Sequence, residues 1–453
     1  MNKIPSNKLL ILLEMNEVNF DVVKSYCSIY PGKFNWIEAL FRSHHIKTTS
    51  EKIYEELEPW IQWVSMHTGK SFEEHKVFRL GDIVGANSIQ IFEKLENIGI
   101  RVGCISPINT ENRLMKPAFF LPDPWTRTVT DGSWWSNILS KAVSQTVNDN
   151  AESRISLRSS ISIFLGLLRF AQYRHYGLYL KLILRSRGSP WRKALTLDLM
   201  LHDIHIKLFK KTEVEFSTLF LNSGAYIQHH YFFCAEPIKK IAKIRNPEWY
   251  VPSDADPFFE MLEVYNVIVG EYLSEIKVEF ILATGLSQCP YDRVKYYYRL
   301  KNHISFLSQT GIKFESVIPR MTRDFLVNFS SIEDAKSAEK ILRGIRIESD
   351  GESIFDEIDN RGVSLFVTLT YSKEVTDKTR ILINSKLVPL SSNVVFVALK
   401  NGMHQAEGFA FFTEGVAQLA PKDLSHIKEL HYTVMNYFSD PIVNMQNSSS
   451  SGG

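Results

Sequence analysis

Carboxylates, imidazoles and amides gather at the ends of apolar runs in this sequence. Glu14, Asn16 and Glu17 close the run LLILLEMNE, and Glu58 stands directly before a proline. Asn222, His229 and His230 follow VEFSTLFL, Gln288 follows VEFILATG, and His404 and Glu407 precede GFAFF. Such groups move protons, ligate divalent cations or hold an anionic substrate. Glu58 precedes the Pro that opens a helical stretch, where free N–H groups and the helix dipole favour negative charge. It is therefore either a helix-start acid or a reactive group beside an anion. Trp60 and Trp63 lie three apart on that stretch, a spacing for core packing or for stacking on a sugar or base. If the His229-His230 pair is extended, the two rings point opposite ways and at most one faces a site.

The elements that must position these groups follow from periodicity. KLLILLEM reads as a buried strand, Phe20–Leu40 as a helix interrupted near Pro31-Gly32, HHIKTTS as a strand and Pro59–Thr68 as a helix. Ile89–Ile98 reads as an amphipathic helix ending at Gly99 and leading into the strand IRVGCIS. VEFSTLFLNS, VEFILATG, SNVVFVALK and GFAFFTEG read as further strands. This βαβα rhythm predicts an α/β fold, a doubly wound, mostly parallel sheet. In such sheets the carboxyl ends of the strands form the ligand crevice. Residues 323–372 read as a small antiparallel α+β module, with RDFLVNF, IRIES and SLFVTLTYS as strands around the helix SSIEDAKSAEKILRG. The expected organisation is a core of residues 1–150, 212–322 and 373–445, a basic helical insertion at 151–211, the α+β cap module at 323–372 and a disordered tail at 446–453. No internal repeat is visible.

Composition bounds the function. The 453 residues are 44% hydrophobic and 23% charged, as in a globular protein and unlike a disordered or fibrous one. With 52 Lys and Arg against 50 Asp and Glu, the chain as a whole is not a basic nucleic-acid binder, and no nucleic acid is expected as a partner. The four cysteines, Cys27, Cys104, Cys234 and Cys289, lack metal-knuckle or disulfide-framework spacing and read as thiols in a reducing compartment. The apolar core Leu9–Leu13 is too short for a secretory signal. The expectation is a cytoplasmic protein, peripheral to the inner face of the membrane if its basic segment docks there.

That segment is Arg154–Lys193. It carries nine Lys and Arg and no Asp or Glu, and the remainder of the chain holds 43 basic against 50 acidic residues. Apolar runs such as SIFLGLL and YGLYLKLIL interleave with the charges at helical spacing. Two readings stand side by side: an inserted subdomain with solvated charged faces, and a basic amphipathic surface for an anionic membrane.

The segment LEPWIQWVSMHTGKSFEEH resembles the alkaline phosphatase superfamily, in particular its type I phosphodiesterase/nucleotide pyrophosphatase group. Thr68, Gly69 and His75 match the family's TG helix end and nearby His. LLILLEMNE resembles the first strand, with Glu14 or Asn16 at the metal-Asp position, and NGMHQAEGF matches the last site with His404 and Gly408. Elsewhere the residues depart from the pattern. Nine before Thr68 stands Pro59, beside Glu58, where the family has a Thr or Ser nucleophile. Ala225 and Tyr226 stand four before His229 and His230 in place of Asp, and Thr284-Gly285-Leu286 replaces Asp-His-Gly. The resemblance implies a doubly wound α/β fold with a cap module. It leaves Glu14, His229 and His404 as metal candidates, enough for one divalent ion and not for the family's two zinc ions.

The expected catalytic residues are Glu58, Glu14, His404 and His229. Asn16, Trp60, Gln62, Thr68, His230, Gln288 and Glu407 are expected to bind substrate. Three functions remain open: a hydrolase or transferase of cell-surface glycan assembly acting on a phosphorylated, nucleotide-linked or lipid-linked sugar, a metal-dependent phosphodiesterase or phosphatase with a remodelled site, and an inactive scaffold.

Overall fold

The computed structural model describes residues 8–148, 157–274, 276, 278–320, 323–384 and 386–439. The expected tail at 446–453 and the start of the basic segment, residues 154–156, lie outside the described residues. The chain divides into two compact units, one of residues 1–290 and 402–453 and the other Tyr291–Asn401.

The first unit opens with β1 (Leu10–Met15), α1 (Phe20–Ile29), α2 (Asn35–Leu40), β2 (His44–Thr49), α3 (Pro59–Thr68), α4 (Phe72–His75), α5 (Ile91–Asn97), β3 (Val102–Ile105) and β4 (Phe119–Leu121). Four helices follow: α6 (Trp134–Asn148), α7 (Leu157–Phe170), α8 (Tyr176–Leu184) and α9 (Pro190–Phe209). Then come β5 (Phe216–Leu221), α10 (Ser223–Tyr231), α11 (Glu236–Ile241), α12 (Pro257–Ser274) and β6 (Glu279–Ala283). The long strands β7 (Ser287–Leu300) and β14 (Val394–Gln405) pair with each other, and the boundary between the units falls within both.

The eight-stranded sheet has the order β16-β2-β15-β6-β1-β5-β3-β4, with β15 (Gly408–Phe412) and β16 (Ser425–His426) supplied by the end of the chain. Only β15 runs against the others. β1 and β5 are buried along their whole length, which is why they read as unbroken apolar runs: both faces of a parallel sheet are covered by helices. Leu10 and Leu12 share one core with Trp63 and Met66 of α3, Phe92 of α5, and Leu430 and Val434 of the terminal helix Glu429–Ser439. The TG helix end is a left-handed cap. Gly69 sits at φ 73°, and a Cβ there would strike the buried ring of His431. Among the described residues no helix is long and apolar enough to cross a membrane.

The second unit holds β8 (Ser316–Pro319), β9 (Asp324–Asn328), β10 (Glu357–Asn360) and β11 (Ser364–Thr368) in one antiparallel sheet of order β10-β11-β9-β8. The helix Ile332–Gly344 packs on it, capped by Ser331 Oγ, which accepts from the Asp334 N–H at 3.1 Å. Its core includes Phe325, Val327, Leu342, Leu365 and Val367. The unit contains the segment 323–372 together with flanking residues assigned above to the core. IRIES forms no strand: it makes only two isolated bridges, because the chain turns back at Ile347–Gly351 with Gly351 at φ 74°.

Candidate functional site

β1 delivers its polar residues between two neighbours. Beyond Met15, the Asn16 N–H donates to Leu221 O at the end of β5 (3.0 Å), and the Glu17 N–H donates to Thr284 O after β6 (3.0 Å). Glu17 adopts φ 61°, a left-handed conformation costly for a residue with a Cβ. Its main-chain oxygen is held there by Gln228 Nε2 at 2.8 Å. The carboxylate is fixed on both oxygens. Asn16 Nδ2 donates to Oε1 at 3.0 Å, and Gln288 Nε2 donates to Oε2. Asn16 is in turn oriented by Trp63 Nε1, which donates to its Oδ1 at 2.9 Å, and by Asn222 Oδ1 at 2.8 Å.

Two imidazoles meet this carboxylate. His229, from α10, places Nε2 3.1 Å from Glu17 Oε2, and His404, from β14, places Nε2 3.0 Å from the same oxygen. The two Nε2 atoms are 3.2 Å apart. His229 Nδ1 lies 3.2 Å from Gly402 O, which can only accept. Nδ1 therefore carries the proton, and in the neutral ring Nε2 presents a lone pair. His404 Nδ1 lies 3.6 Å from Glu58 Oε2. Two imidazole nitrogens and a carboxylate oxygen thus converge, an arrangement that a proton or a cation among them stabilises. A tetrahedral ion with ligands at about 2.0–2.1 Å holds them about 3.3 Å apart, close to the spacings here. Glu17, His229 and His404 form the one such cluster found among the described residues. Burial alone would raise the carboxyl of Glu17, but the charges and hydrogen bonds of His404 and His229 outweigh it and hold it well below the usual carboxylate range.

Glu58 reaches this cluster as the residue before the first turn of α3, with extended backbone (φ −114°, ψ 135°) and no capping bond from its side chain. Pro59 at the first helical position presets that geometry.

The structure separates the other expected residues. Glu14 is a correction: as a strand residue it shares the face of Leu10 and Leu12, and its Oε1 contacts His67 Nε2 at 3.1 Å and the Thr218 hydroxyl, within the core. Glu17, one step past the strand, stands with the imidazoles instead. His229 and His230 lie on a helix, not a strand. Successive helical side chains diverge by about 100°, and His230 packs on the Tyr226 ring with centroids 4.8 Å apart while His229 faces Glu17. Trp60 donates to Phe78 O at 3.1 Å and packs against the core, and Thr68 donates to Val64 O of its own helix at 2.7 Å. Gln62 is buried and bonded to Glu56 O at 2.9 Å. Glu407 pairs with Lys47 at 3.0 Å at the surface. Asn16 and Gln288 do contact Glu17.

No protein-family model and no curated protein matches the sequence. Solved structures show a distant likeness to the chain. Phosphonoacetate hydrolase from Sinorhizobium meliloti 1021, in complex with phosphonoacetate, is 11% identical, with 95% of this chain and 96% of that one covered and a TM-score of 0.42. Human ectonucleotide pyrophosphatase/phosphodiesterase 5 is 9% identical, with 95% and 94% covered and a TM-score of 0.40. Alkaline phosphatase from the Antarctic bacterium TAB5 is 9% identical, with 96% and 99% covered and a TM-score of 0.38.

Proposed function

We propose that this chain is a hydrolase of phosphate esters that works with one divalent cation held by Glu17, His229 and His404. The observation that carries the reading is the convergence of Oε2 and two Nε2 atoms within 3.0–3.2 Å. His229 also has on its other nitrogen the main-chain oxygen that metal-binding histidines use, and the Glu58 carboxylate lies 3.6 Å from the other nitrogen of His404. A bound ion polarises a phosphoryl oxygen and lowers the pKa of water. The N-terminus of α3 lies beside the cluster through Glu58 and favours an anionic group there. Pro59 offers no hydroxyl for a covalent step, so water is the attacking group. Glu58, with a third of its side chain exposed, takes its proton.

Glycosyl transfer by two carboxylates flanking the bond is not favoured, since Glu17 is locked between imidazoles and Glu14 is in the core. A sugar phosphate or sugar nucleotide enters this reading through its phosphate, the form in which the glycan-assembly role is retained. The test is phosphate release from p-nitrophenyl phosphate, its bis-ester and a nucleoside diphosphate sugar with Zn2+, Mn2+ or Mg2+. Metal-dependent turnover lost in Glu17→Ala is expected. Absence of turnover on every substrate, with no ion bound, identifies a scaffold instead.

A further inference from the structure

The basic segment folds with its amphipathicity reversed. On α7, Ile161, Phe164, Leu165 and Leu168 recur at helical spacing on one face, and that face is exposed. The face turned inward carries Ser159, Gly166 and Phe170, and Gly166 meets Leu139 of α6 so closely that a Cβ would clash. α8 repeats the pattern: Tyr176, Leu180, Ile183 and Leu184 are exposed, while Tyr179 and Leu182 are buried. Leu168 and Leu184 are 63% and 71% exposed, and Tyr173, between the helices, is 85% exposed. In a helix that only completes a core, the large apolar side chains face inward.

Both helices are held firmly in this orientation. They pack on α9, and the buried His175, just before α8, lies 2.8 Å from Asp203 and 2.6 Å from Glu271. Tyr179 donates to Asp203 at 2.9 Å. Three cations of the segment are spent on internal partners: Arg174 on Glu271, Lys181 on Glu263 and Arg192 on Glu260. Arg169, Arg185, Arg187 and Lys193 form no salt bridge among the described residues, and no acid interrupts Leu157–Lys193.

We propose that the outer faces of α7 and α8 form a docking surface for an anionic lipid bilayer. Leu, Ile and Phe side chains enter the headgroup boundary, Tyr173 and Tyr176 sit at its level, and the four unpaired cations meet lipid charge. Neither helix can span the bilayer: α7, at 14 residues, is about 21 Å long, short of the ~30 Å hydrocarbon core. The charge complement favours this partner over a protein, since the surface joins an apolar stripe to cations of one sign.

The test is flotation of the full chain with phosphatidylcholine vesicles containing or lacking phosphatidylglycerol. Binding should require the anionic lipid, weaken in high salt and fall about fivefold for each cation neutralised among Arg169, Arg185, Arg187 and Lys193. A second variant, Phe164→Ser with Leu168→Ser and Leu184→Ser, alters exposed positions only; it should keep its unfolding temperature and lose binding. Failure of the wild-type chain to bind anionic vesicles at low salt overturns the proposal. So does equal binding to neutral vesicles, or self-association that the serine variant abolishes.

Discussion

His229 and His404 turn their Nε2 atoms toward each other at 3.2 Å, with Glu17 Oε2 completing the triangle. One ring rides on a helix and the other on a long strand, 175 residues apart in sequence. This triangle makes Glu17, rather than Glu14, the carboxylate of the candidate centre.

The first prediction is one divalent ion per chain. Isothermal titration with Zn2+ or Mn2+ should give one site, lost in Glu17→Ala, His229→Ala and His404→Ala. Glu58→Gln keeps the three ligands and loosens only the ring of His404, so affinity should fall about 10–100-fold while the stoichiometry stays at one. Unchanged affinity in Glu58→Gln removes it from the site.

Glu14 is expected to behave as a core residue. It is fully buried against His67 and Thr218, so Glu14→Ala should cost about 2–4 kcal/mol in denaturant unfolding. The variant that still folds should bind metal with the wild-type stoichiometry. Loss of the ion in a folded Glu14→Ala protein contradicts the assignment.

Gly402 should not tolerate a side chain. A Cβ there would strike Gln288 Oε1 and come within 2.8 Å of the main-chain oxygen of Gln228, and the backbone cannot yield as a side chain can. Its carbonyl also receives His229 Nδ1. Gly402→Ala should destabilise the fold by about 1–3 kcal/mol and weaken metal binding, both read on the same purified variant.

His175 is a stability switch at alkaline pH. Burial alone would lower its pKa, but hydrogen bonds and charge from Asp203 and Glu271 raise it to about 9. A pKa raised on folding stabilises fully below the ordinary value near 6.5 and is lost as pH climbs through about 9. The wild-type chain should therefore lose about 2–3 kcal/mol between those values. His175→Gln should flatten that part of the stability profile. An identical slope in the variant assigns the loss to other groups.

β1, β5, β6 and β15 were readable in the sequence because each is a largely apolar run of five or six residues, and Pro59–Thr68 was readable because Pro opens it and Gly closes it, whereas the three-residue β4 and two-residue β16 are too short to leave such a pattern. Polar groups at the strand ends, with His404 and Glu58 among them, could be nominated on the same ground. Whether the segment holding His229 is extended was left open by the sequence, because FSTLFLNSGAYIQHHYFF runs on in apolar and aromatic residues; the structure starts a helix at Ser223. The choice of Glu17 over Glu14 was beyond local pattern. It depends on β1 lying between β5 and β6, whose ends bind the main chain after Met15, and on Gln228 holding Glu17 at φ 61°. Residues more than 200 positions away set that conformation. The sequence by itself determined most of the longer strands and helices and the polar groups near their ends. Tertiary structure alone decided which carboxylate meets the imidazoles and which apolar faces remain outside, because both depend on contacts between elements distant in the chain.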